Sequence, residues 1–296
     1  MLVFSILPAS AVSASTSSNS EKGPAADVVY IGIRTNEVTA VTDVAKGDLD
    51  IFLWASGVAL FENLPSDVLE NLTLIKTASG YNDIEVNPVH DDDNPYLITV
   101  DEKKYFNPFA IRDVRYALNF LINRQYFVQE YLGGYGQAML GGIRPSTGAN
   151  AYFEPVYNAL GLTPEGNQNK ALIMIEQAMQ KASQELATQG YTLEKINGTW
   201  YFNGEPVTLK FIIRIEDIRK DIGLYIADLL EMAGFKVERL LLDRTQAGGI
   251  VYGSDPKNYQ WNLYTGGWVS TVNIKWPDDY TAWWYTSWYG WLPGAE

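Results

Sequence analysis

The chain has 296 residues, 47% of them hydrophobic and 19% charged, which is enough apolar material for one large core or two ordinary ones. Its formal net charge of −13 sets up a field that repels phosphate backbones and argues against nucleic-acid binding. With no Cys and one His, thiol catalysis, disulfides, iron–sulfur clusters and Cys/His zinc sites are excluded for this sequence, and a lipid anchor on an N-terminal Cys is not expected. A Ser–His triad would have to use His90, which sits beside Asp91-Asp92-Asp93 and reads as a solvated loop histidine.

The N-terminus, MLVFSILPASAVSASTSSNS, is apolar, then small, then rich in Ser and Thr. Val12-Ser13-Ala14 fits the small-residue cleavage pattern of a secretion signal, although no basic segment precedes it. The expectation is a partial signal over 1–14 and a flexible spacer over 15–27, with a disordered tail as the plainer alternative. The apolar part is too short to span a bilayer, which needs roughly 20 residues. Asn71-Leu-Thr and Asn197-Gly-Thr are glycosylation sequons of the kind that arise by chance.

Val28–Ile33 predicts a strand, Val38–Lys46 a helix closed by Gly47, and Leu49–Leu53 another strand, together a parallel crossover unit. Leu72–Ala78 and Tyr81–Val86 predict two further strands ended by Asn87-Pro88. Asp91-Asp92-Asp93 lacks the alternating ligands and glycine turn of a calcium loop and reads as a solvated turn. From about 110 to 122 the chain is an amphipathic helix, with Val114, Ala117, Leu118, Leu121 and Ile122 on one face, followed by a second helical turn through Tyr131. The Gly- and Pro-rich stretch 133–150 is irregular and is not a phosphate cradle, since no strand runs through it into a helix.

Residues 168–188 predict the clearest long helix, with Leu172, Ile175, Met179, Ala182 and Leu186 inward. TWYFNGEPVTLKFIIR predicts a hairpin whose arms are Thr199–Phe202 and Val207–Arg214, turned by Asn203-Gly204. Glu216–Met232 is a helix with Ile218, Ile222, Tyr225, Ile226, Leu229 and Ala233 on its stripe and Gly234 as its stop. Lys236–Leu242 is a strand, which makes β–α–β and a second parallel sheet. A helix-compatible stretch at 244–251 and a last strand over Trp261–Thr265, followed by Gly266-Gly267-Trp268, complete the series.

The ordered set KGDLDIF, YNDIEVNP, NPFAIRDVRYALNFLINR, NGEPVTLKFIIR, MAGFKVERLLLD and YQWNLYTGGW resembles the extracellular solute-binding proteins, family 5, that feed peptide-type ABC importers, in an archaeal style. The resemblance runs from Val28 to about Trp268. It implies an α/β, two-lobed, periplasmic-binding-protein-like fold of type II, with residues 28–86 in one lobe and 87–296 in the other. It also implies a secreted or cell-surface protein that captures oligopeptides by lobe closure, partners membrane permease subunits, needs no cofactor or metal, and has no catalytic residues.

Two departures from the family pattern stand out. Where the family places an acidic element after this tryptophan, Trp268 is followed by Val269, Ser270 and Thr271, and the nearest acids are Asp278 and Asp279. The chain also stops at WYGWLPGAE, where the family continues, so it reads as truncated, with Trp276, Trp283, Trp284, Trp288 and Trp291 as core or as an exposed patch.

The candidate ligand-binding residues are Trp54, Tyr81, Tyr264 and Trp268 as stacking platforms, with Gly266 and Gly267 allowing close backbone approach. Ordinary packing is the alternative for each aromatic. Arg112, Arg115 and Arg124 read as structural clamps. An oligosaccharide ligand is the second reading, because aromatics stack on sugar faces. A surface adhesion module and a glycoside-processing enzyme are the remote ones, the latter requiring two carboxylates about 5 to 10 Å apart in a cleft.

Overall fold

The structure, a computed structural model, describes residues 26–53, 56–75, 80–142, 145 and 150–269. The candidate signal, most of the spacer, Trp54 and the C-terminal tryptophans lie outside the described residues. The chain divides into two compact units. One takes the residues up to Ser56 with Leu60–Leu74; the other takes Gly57–Ala59 and the residues from Ile75 onward.

In the first unit, helix α1 (Glu37–Lys46) starts where the Asn36 side chain accepts from the Thr39 N–H, and ends at Gly47 with φ 79°. Ala40 and Val41 form its buried face. Helix α3 spans Ser66–Leu69, and α2 (Val58–Glu62) has residues assigned to each unit. The expected strands at 28–33 and 49–53 do not form, so there is no parallel crossover unit here. Val29, Tyr30, Ile31 and Ile33 stand exposed. β-branched residues favour an extended backbone, but a strand needs a neighbour for its N–H and C=O groups, and none pairs with these segments among the described residues. Residues 72–75 are likewise irregular, and 76–79 lie outside the described residues.

The second unit opens with β1 (Gly80–Val86) and the antiparallel hairpin of β2 (Leu97–Val100) and β3 (Lys103–Phe106). Between them, Asp91 accepts from the Thr99 N–H (3.0 Å) and hydroxyl (2.6 Å), so this acid fastens the turn, while Asp92 and Asp93 face solvent. His90 is an exposed loop residue. Asn107 then caps a short 3₁₀ turn, Pro108–Ala110, leading into α4 (Arg112–Leu121). Val114, Ala117, Leu118 and Leu121 are buried as expected, joined by Phe120. Arg115 donates to the Phe109 and Ala110 carbonyls, and Arg124 to Asn119, so both are clamps; Arg112 is exposed over the Tyr116 ring.

After α5 (Arg124–Glu130) and α6 (Asn150–Leu160), the long helix α7 (Gln168–Ala187) packs on α4 through Ala171, Ile175, Ala178, Met179, Ala182 and Leu186. Strands β4 (Leu193–Ile196), β5 (Thr199–Phe202) and β6 (Glu205–Pro206) form a small antiparallel sheet. The expected hairpin is corrected here: β5 pairs with β4 around Asn197-Gly198, and only with the two-residue β6 around Asn203-Gly204. Both turns have positive φ at Asn and at Gly. The predicted second arm, β7 (Thr208–Arg214), instead joins the main sheet, because Leu209, Phe211, Ile212 and Ile213 are all wholly buried and need cover on both faces.

Helix α8 (Arg219–Met232), β8 (Lys236–Leu242), α9 (Arg244–Val251) and β9 (Leu263–Val269) finish the described chain. The main sheet has the order β1-β9-β7-β8, with β7 parallel to β8 and β9, and β1 antiparallel to β9. On α8 the buried set is Gly223, Ile226, Ala227, Leu229 and Leu230, a stripe rotated from the expected one; a methyl group at Gly223 would come within 2.6 Å of Ile213, so the missing side chain lets the helix settle on the sheet. The last strand begins two residues later than expected and runs through both glycines and Trp268, because all of Leu263–Val269 pairs with β1.

Three buried asparagines lock the β1–β9 junction. Asn87 donates to the Pro256 and Trp261 carbonyls, Asn107 donates to the Asn87 and Val89 carbonyls, and Asn262 accepts from the Lys210 N–H. Asn107→Ala strands these buried carbonyls and the Phe109 N–H, and should cost about 2–3 kcal/mol in urea unfolding, where an exposed Asn→Ala elsewhere costs under about 0.5.

Candidate functional site

The period of two along a strand decides what meets on the β1–β9 pair. Ile84 and Val86 pack into the main core, so Tyr81, Asp83 and Glu85 share the other face. Their register partners on β9 are Trp268 opposite Tyr81, Gly266 opposite Asp83 and Tyr264 opposite Glu85. Tyr252, just after α9, lies over this face, with ring centroids 5.9 Å from Tyr264 and 6.4 Å from Trp268, both edge-on.

Four of the sequence-predicted residues, Tyr81, Tyr264, Gly266 and Trp268, therefore lie together. Tyr81 and Trp268 are half-buried, whereas Tyr264 is 3% exposed in a small second core with Ile212, Ala247, Val251 and Trp261. Tyr264 packs rather than presents a surface. Gly267 projects to the opposite face, where a methyl group would come within 2.7 Å of Arg219. Trp54 lies outside the described residues.

At the centre are two acids that the sequence reading did not single out. A methyl group at Gly266 would fall on the Asp83 carboxylate and within 2.7 Å of Glu85 Oε1, so both carboxylates crowd the space this glycine leaves open. Glu85 Oε1 accepts from the Tyr252 hydroxyl at 2.7 Å. Glu85 Oε2 and Asp83 Oδ1 are buried with no hydrogen-bond partner among the described residues. The signal was in the strand: in YNDIEV, tyrosine and two acids alternate with Ile84 and Val86, which puts both acids on one face.

Charge on this face does not balance among the described residues. Arg214 is held by Glu216 at 2.7 Å, with Tyr264 at 3.4 Å as a weaker contact. Arg219 is forked onto Asp217. Burial pushes Asp83 up to about 7, against the Trp268 indole and the Arg219 charge. Burial, and then the charge of Asp83, push Glu85 up to about 8, against the Tyr252 hydrogen bond. Burial and the Glu85 charge raise Tyr252 as well, so its hydroxyl remains a donor. Both shifts favour the protonated forms, and the pair is best treated as one titrating unit.

Elsewhere, a depression of about 450 Å³ beside α7 and α8 is open to solvent; its charged groups Lys195 and Glu176 already pair at 2.7 Å, which leaves nothing convergent for a ligand. No group of three or more His, Asp or Glu among the described residues is arranged to hold a metal ion.

Raised acid pKa values give a defined pH signature. The folded pair binds more protons than the unfolded chain between about pH 4 and 8, so stability falls as pH rises through that window, by up to about 1.4 kcal/mol per pH unit per group. The melting temperature should drop from pH 5.5 to 8.5, and Glu85→Gln should flatten that slope. A second expectation is that Gly266→Ala drives the carboxylates from their place and removes the same slope with a net loss of stability. Both are read by thermal unfolding across pH.

Residues 20–291 match the bacterial extracellular solute-binding proteins, family 5, in its middle region. No curated protein matches. Among solved structures, the periplasmic oligopeptide-binding protein of an oligopeptide ABC transporter from Thermotoga maritima is similar, with TM-score 0.57, 17% identity, and coverage of 86% of this chain and 42% of that one. The same Thermotoga protein with bound mannohexaose gives TM-score 0.51 and 18% identity, over 83% of this chain and 40% of that one. Lactococcal OppA, complexed with an endogenous peptide in a closed conformation, gives TM-score 0.51 and 16% identity over 79% and 40%. At these identities the likeness is one of fold: the α/β fold of two-lobed binding proteins, of which this chain spans about 40% of the length. With the family match extending over nearly the whole chain, the protein belongs to the bacterial extracellular solute-binding proteins of family 5.

Proposed function

We propose that the chain acts in extracellular capture of oligopeptides for an ABC importer, handing its ligand to permease subunits in the membrane. The observation that carries this reading is the family match over residues 20–291. The likeness in fold to peptide-binding structures supports it. In this mechanism two lobes close on the ligand, and the chain performs no catalysis. Among the described residues no helix is long and apolar enough to cross a membrane, and export would rest on the N-terminal segment ending at Val12-Ser13-Ala14.

The β1–β9 face supplies the hardware for capture. Trp268 and Tyr81 offer flat apolar area, and the acids behind them offer polar recognition. An affinity near 1 μM requires about −8 kcal/mol, within reach of a few stacks and hydrogen bonds. Oligosaccharide capture is a second reading, favoured by the mannohexaose complex of the Thermotoga protein.

A thermal-shift panel of short peptides against manno- and cello-oligosaccharides separates the two. A ligand at a hundred times its Kd stabilises by about 2.7 kcal/mol, a clear rise in melting temperature. Peptides should give that rise, and a response to sugars alone would select the second reading. Trp268→Ala should weaken binding by about 1–3 kcal/mol, by analogy with base stacking on aromatics, with little change in melting temperature. A loss of about 3–5 kcal/mol of stability with unchanged affinity would make Trp268 a packing residue instead.

A further inference from the structure

Two Asn-Gly pairs turn the small antiparallel sheet: Asn197-Gly198 between β4 and β5, and Asn203-Gly204 between β5 and β6. In both, the asparagine and the glycine sit at positive φ, 50° and 87° in the first and 49° and 83° in the second. Asn-Gly suits a two-residue hairpin turn, and it is also the dipeptide most prone to lose its side-chain amide. The backbone nitrogen after an asparagine can attack the side-chain amide carbon, and a glycine there has no side chain to shield that nitrogen. By sequence the two pairs are equally reactive.

The structure separates them. Asn203 is tied to Thr192 twice: its backbone N–H donates to the Thr192 carbonyl at 2.8 Å, and its side-chain Oδ1 accepts from the Thr192 N–H at 2.9 Å. Turning the Asn203 amide toward the Gly204 nitrogen breaks the second of these bonds. Asn197 is exposed, and its side-chain amide has no hydrogen-bond partner among the described residues. A methyl group built on either glycine would meet nothing within 4 Å, so water reaches both turns and access does not distinguish them; the hold on the asparagine side chain does. The arms beside Asn197-Gly198 are only four residues each, and the tip of so short a surface hairpin opens locally at little cost.

We propose that Asn197 is a site of spontaneous modification, converted by deamidation to aspartate and isoaspartate, and that Thr192 protects Asn203 from the same fate. The Gly198 nitrogen bonds to Asn197 Cγ and gives up its proton. The Cγ–Nδ2 bond breaks, ammonia leaves, and a five-membered succinimide closes. Water then opens the ring at either carbonyl. One water is consumed and one ammonia released, with no oxidant and no cofactor. Each event adds a negative charge to a chain already at −13. Where the ring opens to isoaspartate, the backbone runs through the side-chain carbon and gains a methylene. The turn then no longer sets Ile196 opposite Thr199. The strain falls on β5, where Trp200 is 2% exposed and donates its N–H to the Gly234 carbonyl at 2.8 Å.

The test is to incubate the full chain in warm, mildly alkaline buffer, with the same chain unfolded in guanidinium alongside, and to sample both over days. One tryptic peptide, residues 196–210, carries both asparagines, so fragment-ion spectra assign each change, and isoaspartyl methyltransferase labels the isoaspartate. The expected result is that Asn197 reacts at least fivefold faster than Asn203 in the folded chain, and that the two rates converge to within twofold in the unfolded one. Asn197→Gly keeps a residue that the left-handed turn accepts and removes the amide, so it should lose the early acidic species on ion exchange. Equal rates in the folded chain, a faster rate at Asn203, or an Asn197 that survives folded while the unfolded chain reacts, overturns the proposal. A preference that persists in the unfolded chain overturns it too, because Thr192 is then not its cause. So does a glycan found on Asn197, the first residue of an Asn-Gly-Thr sequon, since the substituted amide no longer leaves as ammonia.

Discussion

The antiparallel pairing of β1 with β9 is the constraint on which the described structure depends. It joins segments about 180 residues apart in sequence through seven register positions, from Gly80 opposite Val269 to Val86 opposite Leu263. Closing so long a loop is entropically costly, and the return comes from what lies at the inner end of the pair. There Asn87, Asn107 and Asn262 answer backbone groups from separate parts of the chain: the Pro256 and Trp261 carbonyls, the Asn87 and Val89 carbonyls, and the Lys210 N–H. Buried amides of this kind specify one register, because a slip of one residue would leave each of those groups unsatisfied and turn every side chain of β1 to the wrong face.

That register creates the candidate site. One face of the pair is apolar and completes the main core through Ile84, Val86 and Leu263. The other gathers Tyr81, Asp83, Glu85, Tyr264, Gly266 and Trp268. The glycine is the permissive element: any side chain at 266 would occupy the volume into which the two carboxylates fold. Burying two acids side by side lowers stability, and the Trp268 indole and the Arg219 charge on Asp83 and the Tyr252 hydrogen bond on Glu85 offset that cost only in part.

The two units contrast in how they satisfy their backbone. In the second, central β7 is flanked by strands on both edges and covered on both faces, so its run of Leu209, Phe211, Ile212 and Ile213 is fully used. In the first, 28–33 has comparable strand-forming composition yet stands exposed, because no described neighbour takes its hydrogen bonds. Composition is the same kind of signal in both places; pairing is what differs.

Much was legible from the residues alone. Asn107-Pro108 and the spacing of Val114, Ala117, Leu118 and Leu121 marked α4; the long apolar stripe marked α7; Gly47 and Gly234 marked helix ends. These are local matters of capping, periodicity and left-handed backbone, which short stretches of sequence determine by themselves. The family resemblance was also readable, because the order of several such stretches carries it. What the sequence could not decide was which strand pairs with which. The Asn203-Gly204 turn promised a hairpin with β7, but burial on both faces drew β7 into another sheet. The glycines before Trp268 suggested a strand's end, but pairing with β1 carried the strand through them. That Asp83 and Glu85 share a face was readable in YNDIEV, but that this face is buried against Gly266 and Tyr252 was not, because the environment of a side chain belongs to contacts made far away along the chain.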